Sequence, residues 1–241
     1  MGALTFFGDE IARRYDDSVG ARDAAEAVPF LAELAAGGPA LELAIGTGRI
    51  ALPLAARGIR VAGIDISEPM LAQLRAKAGA EAIDITVGDI ATTRVDGEFA
   101  LVYLVFNTIF NLVTQDAQVA CFENAAAHLR PGGRFVVEVA VPAIQGLPLG
   151  QTIVPFRADG GGLGFDVYDV VTQRFSSQHY AFEEGRVRAS PFEFRYAWPA
   201  ELDLMARIAG LRLEARYANW QREPFTETSR AHVSVYVKDA V

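Results

Sequence analysis

The sequence predicts an α/β protein, a mostly parallel sheet between helices with a small antiparallel β insert after its fifth strand. Three observations carry that expectation. Short apolar strand-like runs alternate with helical periods from residue 40 to 141, the order that βαβ crossovers produce. Gly46-Thr47-Gly48 forms a tight turn between the first such strand and the next helix. After Pro142 the rhythm changes to strands joined by short turns.

In order, Phe6, Phe7, Ile11 and Tyr15 fall on one face of a first helix. A second, over 22–36, carries Ala24, Val28, Leu31 and Leu34 as an apolar stripe and stops at Gly37-Gly38-Pro39. Residues 40–45 read as a strand, followed by the glycine turn and a helix that Gly58 ends. The second strand covers 59–65, and Ser67 caps a helix over 68–78 with Pro69 in its first turn, where a missing N–H is harmless. The third strand, 82–87, ends at Gly88-Asp89. Residues 99–106 are almost continuously apolar, as a central strand covered on both faces should be. An amphipathic helix over 115–129 then reaches Pro131-Gly132-Gly133, which turns the chain into a fifth strand, 134–141. Residues 146–164 read as a Gly- and Pro-rich loop. Three antiparallel strands, 163–173, 174–184 and 186–198, come next, with Glu184-Gly185 the clearest turn. A helix over 199–209 and strands at 211–220 and 231–238 close the chain.

Composition narrows the partners. The 241 residues are 51% hydrophobic and 22% charged, enough for one sizeable core. Their net charge of -8, without a basic run, argues against nucleic acid, whose binding needs clustered Lys and Arg. Cys121 is the single cysteine, so no disulfide forms within the chain, and it reads as a buried thiol. The first residues lack a signal-peptide pattern, and Phe6 stands where myristoylation wants Ser or Thr. No apolar stretch is long enough to cross a bilayer. The expectation is a cytoplasmic protein with no membrane or nucleic-acid partner, and a homodimer is left open.

The glycine turn alone decides little. Gly46-x-Gly48-x-x-Ala51 satisfies the looser dinucleotide fingerprint, and Asp65, 19 positions after Gly46, could hold ribose hydroxyls of either a dinucleotide or another nucleoside. An NAD(P)-dependent oxidoreductase is therefore one alternative. Glu42, inside the first strand, counts against it: a buried carboxylate repels a pyrophosphate and suits a cationic group. Asp89 puts a second acid at the same sheet edge, either as an exposed cap or as an acceptor for an adenine amino group.

Taken in order, LELAIGTGR, GIDISEPML, GDI, FALVYLVFNTIFNL and HLRPGGRFVVEV resemble the motifs of class I S-adenosylmethionine-dependent methyltransferases, most closely the small-molecule type. The resemblance covers residues 10–141 and extends to the closing helix and strands. One departure is Ala44, where the family often has glycine. The resemblance implies a Rossmann-like sheet with an antiparallel last strand. It implies one domain over 1–241: N-terminal helices as a lid (1–38), a cofactor-binding core (39–141), the insert (142–198) and closing elements (199–241). It also implies S-adenosylmethionine as cofactor, with S-adenosylhomocysteine as product. By the same resemblance Glu42, Ala44, Gly46 and Gly48 line the methionine moiety, and Asp65 holds the ribose. Ile66 and Met70 flank the adenine, Asp89 faces its amino group, and Ile90 lies at the ring edge. Leu104, Val105 and Phe106 sit beneath the sulfonium. Tyr15 either reaches the cofactor's carboxylate or is an ordinary core aromatic.

The expected reaction is in-line displacement by a nitrogen or oxygen of a small molecule such as a secondary metabolite or amino sugar, with carbon third. Orientation alone supplies on the order of 7–11 kcal/mol to such a step. No general base is strictly required for a neutral amine, so the catalytic group stays unknown, with His179 and His128 as weak candidates. His128 near a helix end and His232 at the start of the last strand read as structural. The three histidines are scattered, which gives no metal site. Ligands collect beyond the carboxyl ends of parallel strands, so Phe106, Asn107 and Phe110 are the acceptor-site candidates, Asn107 being equally suited to capping its turn. The alternations Tyr180/Phe182 and Phe192/Phe194/Tyr196 offer an aromatic face or plain sheet packing. A non-catalytic protein that kept the fold is the remaining alternative.

Overall fold

The computed structural model describes residues 8–19, 22–183 and 185–240. Phe6, Phe7 and Glu184 lie outside them. Helices α1 (Asp9–Val19) and α2 (Arg22–Ala35) precede a core of β1 (Ala40–Leu43), α3 (Ala51–Ala55), β2 (Val61–Asp65), α4 (Glu68–Arg75), β3 (Asp84–Val87), β4 (Phe99–Leu104), α5 (Gln115–His128) and β5 (Leu129–Ala140). The insert is β6 (Ile153–Asp159), β7 (Gly162–Asp169), β8 (Arg174–Glu183) and β9 (Arg186–Arg195), and α6 (Pro199–Ile208), β10 (Leu211–Tyr217) and β11 (Ala231–Lys238) follow.

The main sheet runs β3-β2-β1-β4-β5-β11-β10. β1 to β5 pair in parallel, whereas β11 is antiparallel to both β5 and β10. Alternation along β4 explains why it is central. Val102 and Leu104 enter one core with Leu41, Phe122, Phe135 and Val137, while Leu101 and Tyr103 enter the other with Leu31, Leu54, Val61 and Val136. All six β4 residues are buried. Each fully buried Leu or Val contributes about 1.5–3 kcal/mol, so a strand apolar on both sides holds only where both faces are covered. The first core is roofed by α5 and α6, the second by α2, α3 and α4.

Local signals place the ends. The Ser67 hydroxyl accepts from the Met70 N–H at 3.3 Å and caps α4. Thr114 caps α5 in the same way through Ala117 N. The expectation of an amphipathic α5 is corrected: Gln118, Asn124 and His128 are buried along with Cys121 and Phe122. Each polar side chain has a backbone partner, the reason it tolerates burial: Gln118 reaches Ile109 O and Arg195 O, and Asn124 reaches Ile90 O and Thr93 O.

A second correction concerns residues 146–164, expected to be loop. They contain β6, so the antiparallel sheet β6-β7-β8-β9 has four strands rather than three. β6 is an edge strand, exposed at six of its seven positions, and its ladder shifts between Pro155 and Arg157. Such a strand has no buried face to impose a two-residue period, and Pro is tolerated only at an edge. The insert docks on the core through Arg195, which pairs with Glu201 of α6 at 2.7 Å and with the Gln118 amide of α5.

Candidate active site

At the carboxyl ends of β1 and β4 a small cavity of about 60 Å³ is lined by Tyr15, Glu42, Ala44, Gly46, Met70, Val105 and Phe106, among others. Seven of the residues expected at a cofactor site are therefore brought together. Asp65 joins them through the glycine turn: its Oδ2 accepts from Gly46 N at 2.7 Å and its Oδ1 from Ser67 N at 2.8 Å. Burial raises the Asp65 pKa despite those two donors. Ile66 and Asp89 are exposed at the neighbouring ends of β2 and β3, beside the cavity rather than in its wall. Asp89 Oδ1 caps its own turn by accepting from Ala91 N at 2.8 Å.

Three residues expected at the cofactor lie outside the wall of this cavity. Leu104 is fully buried in the core and Ile90 is buried there too, so neither lines the cavity. Gly48 lines a different cavity between the N-terminal helices and α3. Its φ is +75°, and a Cβ there would collide with the Leu74 side chain, so this glycine permits close packing of α3 on α4. At Gly46, φ +56°, a Cβ would crowd Met70 Cε at 3.2 Å. Ala44 holds φ +59° without being glycine, which accounts for the family preference.

Glu42 is the most strongly perturbed group in the cavity. Burial pushes its pKa up to about 8, against the pull of a hydrogen bond from Tyr103 Oη to its Oε2 at 3.0 Å and of the Arg49 charge. Tyr15 is pushed up to about 12, chiefly by burial. The Arg49 guanidinium lies 5.1 Å over the Phe106 ring, which meets Tyr15 edge-on at 6.4 Å. Arg49 Nη1 is buried and has no hydrogen-bond partner among the described residues. Sequence reasoning missed Arg49, although a cation directly after the glycine turn was the available signal. It also missed Thr47, whose hydroxyl donates to Asp16 Oδ1 at 2.5 Å while Lys77 binds both Asp16 and Thr47 O. That clasp ties α1 to the glycine turn.

A larger cavity of about 710 Å³ opens on the other side of the segment after β4, between it and the inner face of the insert. Phe110 and Asn107 line it. Phe106, expected at both the cofactor and the acceptor, lines the smaller cavity. Asn107 does not cap its turn: its Oδ1 accepts from Ala140 N at 2.6 Å and so ties the segment to β5. Phe106 and Asn107 both have φ +59°, a strained pair held by that bond and by the Glu138 carboxylate on Phe106 N at 2.5 Å. Tyr168, Phe175, Phe194 and Tyr196 form an aromatic wall, with Asp166 and Ser177 beside it. Tyr180 stacks on Phe165 and Phe182 is exposed, so that alternation supplies no wall.

The histidines fall away from both cavities. His128 is buried against Phe99 at the opposite end of β4 and accepts from Val95 N at 3.0 Å; burial lowers its pKa. Its position excludes it as the base for this site. His232 is buried beside Ser234 and pushed down to about 3 by burial. His179 is exposed, packed between Phe156 and Phe192, and 3.1 Å from Ser177 Oγ. It approaches the larger cavity through Ser177 and Phe156. No group of three or more His, Cys, Asp or Glu suited to a metal occurs among the described residues. None of their helices is long and apolar enough to cross a membrane.

Residues 40–133 match a methyltransferase domain family. Over 204 residues the chain is 31% identical to the cypemycin N-terminal methyltransferase of a Streptomyces species, covering 79% of each protein. The chain belongs to the class I S-adenosylmethionine-dependent methyltransferases. The solved CcbJ methyltransferase of Streptomyces caelestis is 40% identical to this methyltransferase and superposes with a TM-score of 0.87 over 99% of both chains. An S-adenosylmethionine-dependent methyltransferase from Clostridium acetobutylicum shares the fold at 15% identity, with a TM-score of 0.76 over 95% of this chain and 98% of its own. The methyl donor of the methyltransferase is S-adenosylmethionine. The residues at the small cavity fit that group: the unpartnered Arg49 Nη1 suits its carboxylate and the buried Glu42 its cationic end.

Proposed function

We propose that this methyltransferase alkylates a nitrogen of a small molecule seated in the 710 Å³ cavity, with the donor held in the smaller one. The observation that carries the reading is the pair of cavities flanking the segment 106–111. One is lined by the glycine turn and Glu42, the other by aromatic rings. The choice of nitrogen draws on the cypemycin N-terminal methyltransferase, whose name assigns it an amino terminus. When bound, S-adenosylmethionine supplies an activated sulfonium methyl. The chain's own residues bind, orient and exclude water. Glu42, Arg49 and Tyr15 hold the methionine end, and Asp65 the ribose. Ile66, Met70 and Asp89 flank the adenine, Val105 lies beneath the sulfonium, and Phe106 and Asn107 separate the two compartments. Placing nucleophile and methyl in line supplies most of the acceleration, about 7–11 kcal/mol.

Calorimetry with S-adenosylmethionine and S-adenosylhomocysteine, followed by mass spectrometry of an amine and alcohol panel, tests the reading. Micromolar donor binding and an added methyl on nitrogen are expected. No binding at millimolar donor, or methylation confined to oxygen, refutes it.

A further inference from the structure

An acceptor needs a group that recognises it, and the inner face of the insert carries one candidate. This inference rests on the proposed nitrogen methylation. We propose that Asp166 anchors the acceptor: the cavity selects an aliphatic amine, which enters as an ammonium, pairs with the Asp166 carboxylate and yields its proton to it.

The antiparallel register builds the arrangement. Asp166 of β7 stands opposite Ser177 of β8, and two residues along, Tyr168 stands opposite Phe175, which stands opposite Phe194 of β9. Residues two apart share a face, so the carboxylate and the rings look into the same space. Tyr168 and Phe175 stack at 5.0 Å, and Phe175 and Phe194 at 4.9 Å. Ring faces attract cations, more strongly where water is excluded. Asp166 Oδ1 is buried and has no hydrogen-bond partner among the described residues. A buried carboxylate oxygen left without a donor is costly, and an N–H of an ammonium is the partner that would satisfy it. An alcohol brings no charge to the pair, and a carboxylate acceptor would be repelled.

The other charges around Asp166 leave it the cavity's inner anion. Glu227 and Arg230 line the cavity but are exposed at its rim. On β6, Arg157 is held by both oxygens of Asp159. On β8, His179 reaches Asp166 through Ser177, and on β9 the Phe192 ring packs against that histidine. On its own strand the Tyr168 hydroxyl lies beside the carboxylate. Burial raises the Asp166 pKa, against the Ser177 hydrogen bond and the His179 charge, which brings it toward the range of a proton acceptor.

The step balances. The ammonium proton passes to Asp166, and the nitrogen lone pair forms a bond to the methyl carbon. The carbon–sulfur bond breaks with its electron pair left on sulfur, and Asp166 then loses its proton to solvent by way of Ser177 and the exposed His179.

The test compares the full-length wild type with Asp166→Asn and Asp166→Glu on matched aliphatic amines and alcohols. Asp166→Asn should lower kcat/KM for amines about 100-fold, leave donor affinity within about twofold, and remove the acid limb of the pH profile, with partial rescue by Asp166→Glu. Asp166→Asn within about threefold of wild type, or alcohols methylated as well as amines, overturns the assignment. Binding of cyclohexylammonium, followed by ligand-observed NMR, probes the same carboxylate without turnover. Wild type should bind it about tenfold more tightly than Asp166→Asn and than it binds cyclohexanol. Equal binding overturns the role of Asp166 while leaving donor binding, and so the broader reading, intact.

Discussion

Tyr103 Oη donates to Glu42 Oε2 at 3.0 Å from the next strand of the sheet, which helps hold a buried carboxyl in the wall of the small cavity. Burial outweighs it, so Glu42 holds its proton up to a pKa of about 8. The folded value thus lies above that of the unfolded chain. Glu42 contributes most to stability below about pH 4.5, and that contribution is lost as pH rises through about 8. Urea denaturation at pH 5, 7 and 9 should show wild-type stability falling over this window, with a shallower fall in Glu42→Gln. Parallel pH profiles for the two proteins would count against the raised pKa.

Donor binding should carry a proton signature. A cation next to Glu42 lowers its pKa, so at pH 7 binding of S-adenosylmethionine releases up to about one proton. Calorimetry in buffers of different ionisation enthalpy measures this directly. Glu42→Gln should reduce the release to near zero.

Asp65 holds the glycine turn. Asp65→Ala removes the acceptor for Gly46 N and Ser67 N. It should weaken S-adenosylmethionine binding by about 1.5–3 kcal/mol, the worth of a charged hydrogen bond, and lower the melting temperature together with it. Asp65→Asn, which keeps one acceptor oxygen, should recover part of the stability. An unchanged affinity in Asp65→Ala would disprove the ribose assignment.

At Ala44 the backbone sits at φ +59°. Relief of that strain by Ala44→Gly, about 1–2 kcal/mol, is largely offset by the entropy glycine loses on folding, so the variant should be stable to within about 1 kcal/mol of wild type. Ala44→Val places a β-branched residue in the left-handed region and should be clearly destabilised. Chemical denaturation separates these outcomes.

Arg195 is buried with Glu201 and Gln118 as partners. Arg195→Ala strands the Glu201 charge and should cost about 3–5 kcal/mol. Hydrogen exchange should show the insert losing protection before the main sheet. Uniform loss across both sheets would mean that the ion pair is not what docks the insert.

The sequence exposed most of the core because burial there is one-sided or complete. β4 is apolar throughout and is covered on both faces, and α4 announces itself through Ser67 and Pro69. β6 stayed hidden because its side chains face water and its ladder slips beside Pro155. The residues around the small cavity were legible for a related reason: Glu42, Gly46 and Asp65 sit next to the turns that place them. The lining of the larger cavity was not. Whether Asp166 and Ser177 face inward depends on the register of β7 against β8, and a slip of one residue would turn both outward. Asn107 lines the larger cavity, but its amide oxygen is spent on Ala140, a partner 33 positions away.

Phe106 and Asn107, adjacent in sequence, line different cavities, one on each side of the segment. Thermodynamic linkage follows from that shared segment. A molecule on one side that alters the strained pair changes affinity on the other, and the factor is identical in both directions.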